Sequence, residues 1–158
     1  MSDRGAGRAT GLIDEISKSI IEQLQQDGRR SYAAIGKVVG LSEAAVRQRV
    51  QRLTEAGVMQ IVAVTDPLQL GFGRQAMVGI HVDGAVQPVA DALAALQEVI
   101  YVVMTAGGYD VLCEVVSASD EELLDLVAGR IRAVPGVRTT ETFMYLKLAK
   151  QTYSWGVR

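Results

Sequence analysis

The amino-acid sequence predicts an α+β chain in two parts: an N-terminal winged helix-turn-helix domain over residues 12–64 and a C-terminal ferredoxin-like βαββαβ domain over residues 76–150. Three observations predict it. Apolar residues recur at helical spacing in the first third of the chain, and β-branched runs alternate with helical stretches in the second half. Between them, TDPLQLGFGRQ combines Asp-Pro with two glycines, which is linker chemistry and places the boundary at residues 65–75. Residues 151–158 follow as a C-terminal extension.

The first helix is marked by Ile16, Ile20, Ile21 and Leu24, the second by Ala34, Ile35 and Val38, and the third by Val46, Val50 and Leu53. Ser17, Ser31 and Ser42 are their expected N-caps, since a serine hydroxyl accepts an early backbone N–H. Gly28, Gly40 and Gly57 follow the helix ends. VMQIVAVT then reads as a strand or short wing. Beyond the linker, AMVGIHV reads as a strand and PVADALAAL as a helix opened by Pro88. VIYVVMT and YDVLCEVV read as strands joined through AGGYD, SDEELLDLVAGRIRAV as a helix capped by Ser119, and TTETFMYLKL as a last strand. In VIYVVM and VLCEVV the apolar residues do not alternate with polar ones, so both sheet faces call for cover. Two helices cover one face, and a second copy of the chain is the simplest cover for the other; central strands of a tight monomer are the competing reading.

Composition narrows the function classes. With 158 residues, 49% of them hydrophobic, the chain can bury a sizeable core. No apolar run approaches the roughly 20 residues a membrane span needs, and the polar start MSDRGAGRATG lacks the apolar stretch of a secretion signal, so a cytoplasmic protein with no membrane partner is expected. The single cysteine, Cys113, cannot form an internal disulfide and reads as a small buried hydrophobe. One histidine, His81, leaves too few ligands for an ordinary zinc site and reads as a strand residue, so neither metal nor cofactor is expected. The net charge of −2 is unevenly spread: nine Lys and Arg face seven Asp and Glu through residue 60, and seven face eleven after it. A nucleic-acid surface need only be locally basic.

The third helix supplies such a surface. At 100° per residue Val46, Val50 and Leu53 share a narrow inward arc, which leaves Ala44, Arg47, Gln48 and Gln51 outward, Arg52 on one flank, and Arg49 nearer the core. Arginine and glutamine pair bidentately with guanine and adenine edges, and a small residue such as Ala44 allows close approach to the groove floor. Arg47, Gln48 and Gln51 are the candidate base readers and Arg52 the candidate phosphate contact, with Ser42 at the head of the helix beside them. Arg49 is equally placed to pair with a first-helix acid such as Glu15 or Glu22. Arg and Gln also suit any solvated helix face; the capped helix before, the tight turn and the strand after add the frame that docks a helix in the major groove.

The combined length and order of ISKSIIEQLQQDGRRSYAAIGKVVGLSEAAVRQRVQRLTEAGVMQ, with VVMTAGGYDVLCEV and VPGVRTTETFM later, resembles the Lrp/AsnC (feast/famine) family of transcriptional regulators over nearly the whole chain. The resemblance implies double-stranded DNA as partner, half-sites about one helical turn apart, a RAM-type second domain, and homodimers assembled into higher oligomers such as octamers. Ser17 stands where the family often has Asp, which exchanges one N-cap residue for another. Gly108 replaces the polar residue common before the Tyr-Asp pair.

In AGGYD, two glycines can aim backbone N–H groups at one point, a nest suited to a carboxylate, while Asp110 meets a cationic amine; the same residues are equally ordinary hairpin chemistry. The resemblance implies the first reading, with a small effector, an amino acid, contacting Gly107, Gly108, Tyr109 and Asp110, and Thr140 and Thr142 of the last strand. Some haem-pathway (sirohaem-type) decarboxylases resemble this family, with a degenerate DNA module and histidine and basic residues around a tetrapyrrole; a single histidine weighs against that class, and no catalytic residue is assigned.

Overall fold

The computed structural model describes residues 13–152, 156 and 157. One compact unit ends at Ala63 and takes in Lys150 onward, and the other runs Val64–Ala149. The aromatic pair Tyr153 and Trp155, read from the sequence as packing the C-terminal extension, lies outside the described residues.

The first unit holds α1 (Glu15–Gln26), α2 (Tyr32–Val39) and α3 (Glu43–Glu55). Ser31 and Ser42 cap α2 and α3, their hydroxyls accepting from Ala34 N and Ala45 N at 3.2 Å. The cap of α1 is not Ser17 but Asp14, whose Oδ1 accepts from Ser17 N at 2.7 Å. Ser17 lies in the first turn and is buried, so its hydroxyl serves the interior rather than the helix end. Ile20, Leu24, Ile35, Val46 and Val50 form one core, each aliphatic contributing on the order of 1.5–3 kcal/mol by leaving water.

Two glycines set how α2 meets α3. Gly40 takes the left-handed conformation at φ 71°, which reverses the chain at a helix end where a side chain would be strained. Gly36 is buried in α2, and a Cβ there would sit 2.4 Å from the carbonyl oxygen of Leu41. That oxygen occupies the space of the missing side chain, so the turn lies against α2 and α3 starts at once.

VMQIVAVT forms neither a strand nor a wing. Residues 59–66 have no regular secondary structure and no ladder partner among the described residues, and Ile61, Val62 and Val64 are exposed. β-propensity describes fit to a half-buried pleated surface, and among the described residues no strand is offered to this segment.

In the second unit a short 3₁₀ turn, Pro67–Leu70, precedes β1 (Arg74–Val82), α4 (Val86–Ala94), β2 (Val99–Met104), β3 (Val111–Ser117), α5 (Asp120–Leu124) and β4 (Val137–Met144). The strands pair antiparallel in the order β2-β3-β1-β4, the ferredoxin-like arrangement. α4 begins at Val86, with Pro88 in its first turn rather than at its head. Ser119 caps α5 as expected, but the helix widens to a π-helical stretch over Asp125–Ile131. The last strand is shifted toward the N-terminus of TTETFMYLKL, ending at Met144.

The pleat sorts the sheet's side chains. Ala76, Val78, Ile80, Val111, Cys113 and Val115 point to the helix side and join Val89, Leu93, Leu126 and Ile131 in the core. Burial pushes the Cys113 thiol up to about 11, so it behaves as a hydrophobe. The opposite face carries Met77, Tyr101, Val103, Leu112 and Phe143, with Tyr101 and Phe143 exposed. No helix of the described residues is long and apolar enough to cross a membrane.

Helix propensity alone favours Ala over Gly by about 1 kcal/mol. At Gly36 the clash should outweigh it, and Gly36→Ala is expected to lose roughly 1–3 kcal/mol net in urea unfolding. Gly107→Ala, where an added Cβ meets nothing within 4 Å, should leave stability unchanged within about 0.5 kcal/mol.

Candidate nucleic-acid interface and effector loop

α3 buries Val46, Val50 and Leu53 and leaves Ser42, Ala44, Arg47, Gln48, Gln51 and Arg52 exposed. The structure thus gathers all six on the solvent side of one rigid element, as the helical spacing requires. Their local partners differ. Arg47 Nη2 donates to Glu43 Oε1 at 2.6 Å, one turn back, and its guanidinium lies over the Tyr32 ring, 5.3 Å from the centroid. Gln51 Nε2 donates to Glu55 Oε1 at 2.8 Å. Among the described residues none partners Gln48 or Arg52, whose donors face water.

Arg49 faces the other way. Its Nη1 donates to Asp14 Oδ1 at 2.9 Å, Asp14 Oδ2 at 2.8 Å and Ser17 Oγ at 3.0 Å. The acid it meets is the cap of α1, not Glu15 or Glu22. One guanidinium therefore ties α3 to the start of the first helix. Hydrogen bonds from the Ser17 hydroxyl and N–H, joined by the Arg49 guanidinium, lower the Asp14 carboxyl from 3.8 to about 2.

In the second unit the loop after β2 is held by its own backbone. Thr105 N donates to Asp110 O at 2.9 Å, Asp110 N donates to Ile80 O at 3.0 Å, and Val82 N donates to Asp110 Oδ2 at 2.8 Å. The carboxylate caps β1 where its pairing with β4 slips between His81 and Val82, so Asp110 closes the ladder as well as facing outward. Tyr109 lies across β1: a Cβ on Gly79 would be 2.8 Å from its ring, so the ring fills the space that glycine leaves. It packs with His81, at 5.1 Å between centroids, and with Phe143 edge-on at 6.0 Å, and its hydroxyl donates to Glu141. That hydrogen bond, with burial, raises the Tyr109 phenol.

Two expectations do not hold here. Gly107 and Gly108 are exposed, but neither has positive φ, and a nest requires right- and left-handed residues in alternation. Thr140 and Thr142 pair with Ile80 and Val78 and so point to the helix side of the sheet, away from Tyr109. Glu141, opposite Gly79, and Phe143, opposite Met77, stand beside the tyrosine instead. His81, read from the sequence as an ordinary strand residue, belongs to the same cluster. Its signal was alternation: His81 shares a face with Gly79, the only place on β1 where a ring can lie flat.

A solvent-facing helix with paired and unpaired guanidinium and amide groups, seated on a helix-turn-helix, together with a ferredoxin-like domain, defines a DNA-binding transcriptional regulator. Residues 13–54 match the AsnC-type helix-turn-helix domain, and residues 73–158 match a family described as a C-terminal dimeric alpha+beta barrel domain. The HTH-type transcriptional regulator FL11 of Pyrococcus horikoshii is 37% identical over 145 residues, covering 89% of this chain and 93% of that protein. The leucine response regulatory protein LrpA of Mycobacterium tuberculosis superposes with a TM-score of 0.80 at 31% identity, covering 88% of this chain and 96% of that one. A Neisseria meningitidis transcriptional regulator, solved as its complex with L-Met, shares the fold at a TM-score of 0.78 and 23% identity, covering 90% of this chain and 95% of that one. The chain belongs to the Lrp/AsnC family of transcriptional regulators.

The Asp14 carboxyl binds its proton less tightly in the folded state than in the unfolded one, so its contribution to stability is full above about pH 4 and is lost as pH falls through about 2. Arg49→Ala should raise the Asp14 titration midpoint while leaving it below 3.8, because the Ser17 donors remain. Carbon-detected NMR titration of the carboxyl measures the midpoint, and urea unfolding of both proteins at pH 7 and pH 2.5 should show a smaller acid loss in the variant.

Proposed function

We propose that this regulator reads a specific DNA sequence with α3 and answers to a small amino-acid effector through the second domain. The single observation that carries the DNA reading is the outward face of α3, where Ala44, Arg47, Gln48 and Gln51, with Arg52 on one flank, are exposed away from a buried Val-Val-Leu stripe. Arg47, Gln48 and Gln51 meet base edges, Ala44 lets the helix approach, and Ser42 and Arg52 meet phosphate. Residues 12–64 are the DNA-binding domain and 76–150 the effector and assembly domain, joined by residues 65–75.

Two copies pair through the open sheet face, where Met77, Tyr101, Val103, Leu112 and Phe143 need apolar cover, and dimers assemble further, as far as octamers. The dimeric character of the matched domain family supports this pairing. The loop 105–110 contacts the effector: Gly107 and Gly108 expose backbone donors to a carboxylate, and Asp110, one of whose oxygens is left over after capping β1, meets an ammonium. The L-Met complex of the Neisseria neighbour supports an amino acid as the effector class. Because an effector shifts an equilibrium only by its differential affinity, a ligand at this loop acts by favouring one assembly over another. The protein acts in the cytoplasm and has no catalytic role.

On a duplex selected from a random-sequence pool by the wild-type protein, Arg47→Ala should lose about 1–3 kcal/mol of binding with little change on random DNA. Equal losses on both would remove Arg47 from the base readers. A thermal-shift screen of free amino acids should find one that stabilises the protein, by about 2.7 kcal/mol at one hundred times its Kd. Asp110→Asn keeps an acceptor for Val82 N–H but removes the charge; it should abolish that shift and leave DNA affinity intact, and an unchanged ligand titration would place the ammonium contact elsewhere.

A further inference from the structure

We infer that Tyr32 and Glu43 are positioning residues for Arg47, holding its guanidinium in one orientation and thereby setting base discrimination at one position of the DNA site. The inference rests on the reading of α3 as the base-reading helix. Tyr32 is the first residue of α2, half-buried and packed against the core of Ile20, Ile35 and Val46, so its ring is fixed by the interior. The guanidinium of Arg47 lies over that ring at 5.3 Å from the centroid. Glu43 holds the same group from the preceding turn, accepting from Nη2 at 2.6 Å. The pair is solvent-facing, with the Arg47 side chain 63% and the Glu43 side chain 52% exposed, so the group is oriented without being withdrawn from a partner.

Among the outward polar residues of α3 this double restraint is particular to Arg47. Gln51 has one restraint, from Glu55, and Gln48 and Arg52 have none among the described residues. Stacking fixes the plane of a guanidinium, and the carboxylate fixes its place along the helix; what remains is a fork presented with little rotamer freedom left to lose on binding. The negative charge of Glu43 also offsets the charge of Arg47 and so weakens its attraction to phosphate. With the charge offset, the oriented fork is left to select by geometry, and the O6 and N7 edge of guanine offers two acceptors at its spacing. The pair thus turns a general cation into a selective one. Neither residue stands out by periodicity, since Tyr32 lies on a different helix and Glu43 reads as an ordinary first-turn acid.

The test uses the full-length chain and a duplex selected from a random-sequence pool, with every base pair then replaced singly. The position at which Arg47→Ala loses discrimination identifies the contact. Tyr32→Leu should lower discrimination at that position about two- to fivefold, the strength of one exposed stacking contact, and leave the other positions and random DNA unchanged. Tyr32→Phe, which keeps the ring face, should match wild type. Glu43→Gln should tighten binding to random DNA and lower the ratio of selected to random affinity by a similar factor. Losses spread evenly over all positions, or unchanged discrimination in both Tyr32→Leu and Glu43→Gln, would overturn the inference. If Tyr32→Leu fails to fold, the exposed Glu43→Gln decides: a parallel change on both duplexes overturns the inference. Should Arg47→Ala show no selective position, the base-reading assignment fails instead, so the two failures are distinguishable.

Discussion

The carbonyl oxygen of Leu41 occupies the place where a side chain on Gly36 would stand, and much of the geometry of the helix-turn-helix follows from that contact. It draws the turn against α2, while Gly40 supplies the left-handed residue that lets α3 begin three residues later. With the crossing set, Val46, Val50 and Leu53 fall onto the core and the polar residues of the same helix are forced outward. The same closeness brings Arg47 within reach of Tyr32 at the head of α2. A second tie, from Arg49 to the cap of α1, fixes the far side of the helix, so α3 is held from both flanks and presents its face as one rigid surface.

An equivalent constraint governs the second unit. Gly79 leaves a flat place in the middle of β1, the Tyr109 ring lies in it, and His81, Glu141 and Phe143 close around the ring from the two strands. Asp110 completes the arrangement by capping Val82 where the ladder slips. The loop 105–110 is thus supported by backbone bonds at Thr105 and Asp110 while Gly107 and Gly108 are exposed between them, a small arc on bonded shoulders. Strength at the shoulders and openness at the tip are what a loop needs if ligand contact is to be felt by the sheet.

The legible parts of this fold were those dictated by local chemistry. A 3.6-residue period, serine caps at Ser31, Ser42 and Ser119, and left-handed glycines are each decided within a few residues, and these elements lie where the residues place them. What was not legible depends on partners distant in the chain. Asp14 and Ser17 are both able caps, and only the packing of Ser17 inward, against Arg49, decides between them. TTET offers no hydrophobic alternation, so its face cannot be read without the register against β1; one step of the pleat exchanges Thr140 and Thr142 for Glu141 and Phe143. The segment 59–66 has the composition of a strand but no pairing neighbour among the described residues.

The same argument explains why the two sites differ in how they are read. The residues proposed to face DNA sit on one helix, and helical periodicity alone separates Arg47, Gln48 and Gln51 from the buried valines; only the restraint on Arg47 needs a second helix to be seen. The loop site is assembled from β1, the loop and β4, with side chains from residues 79 to 143 brought together by strand pairing. A site of that kind is sensitive to the sheet as a whole: any change in how its apolar open face is covered acts on Met77 and Phe143, which flank the tyrosine cluster. Cover of that face and occupancy of the loop therefore draw on the same strands, and a ligand that prefers one packing of them must, by reciprocity, be preferred by it.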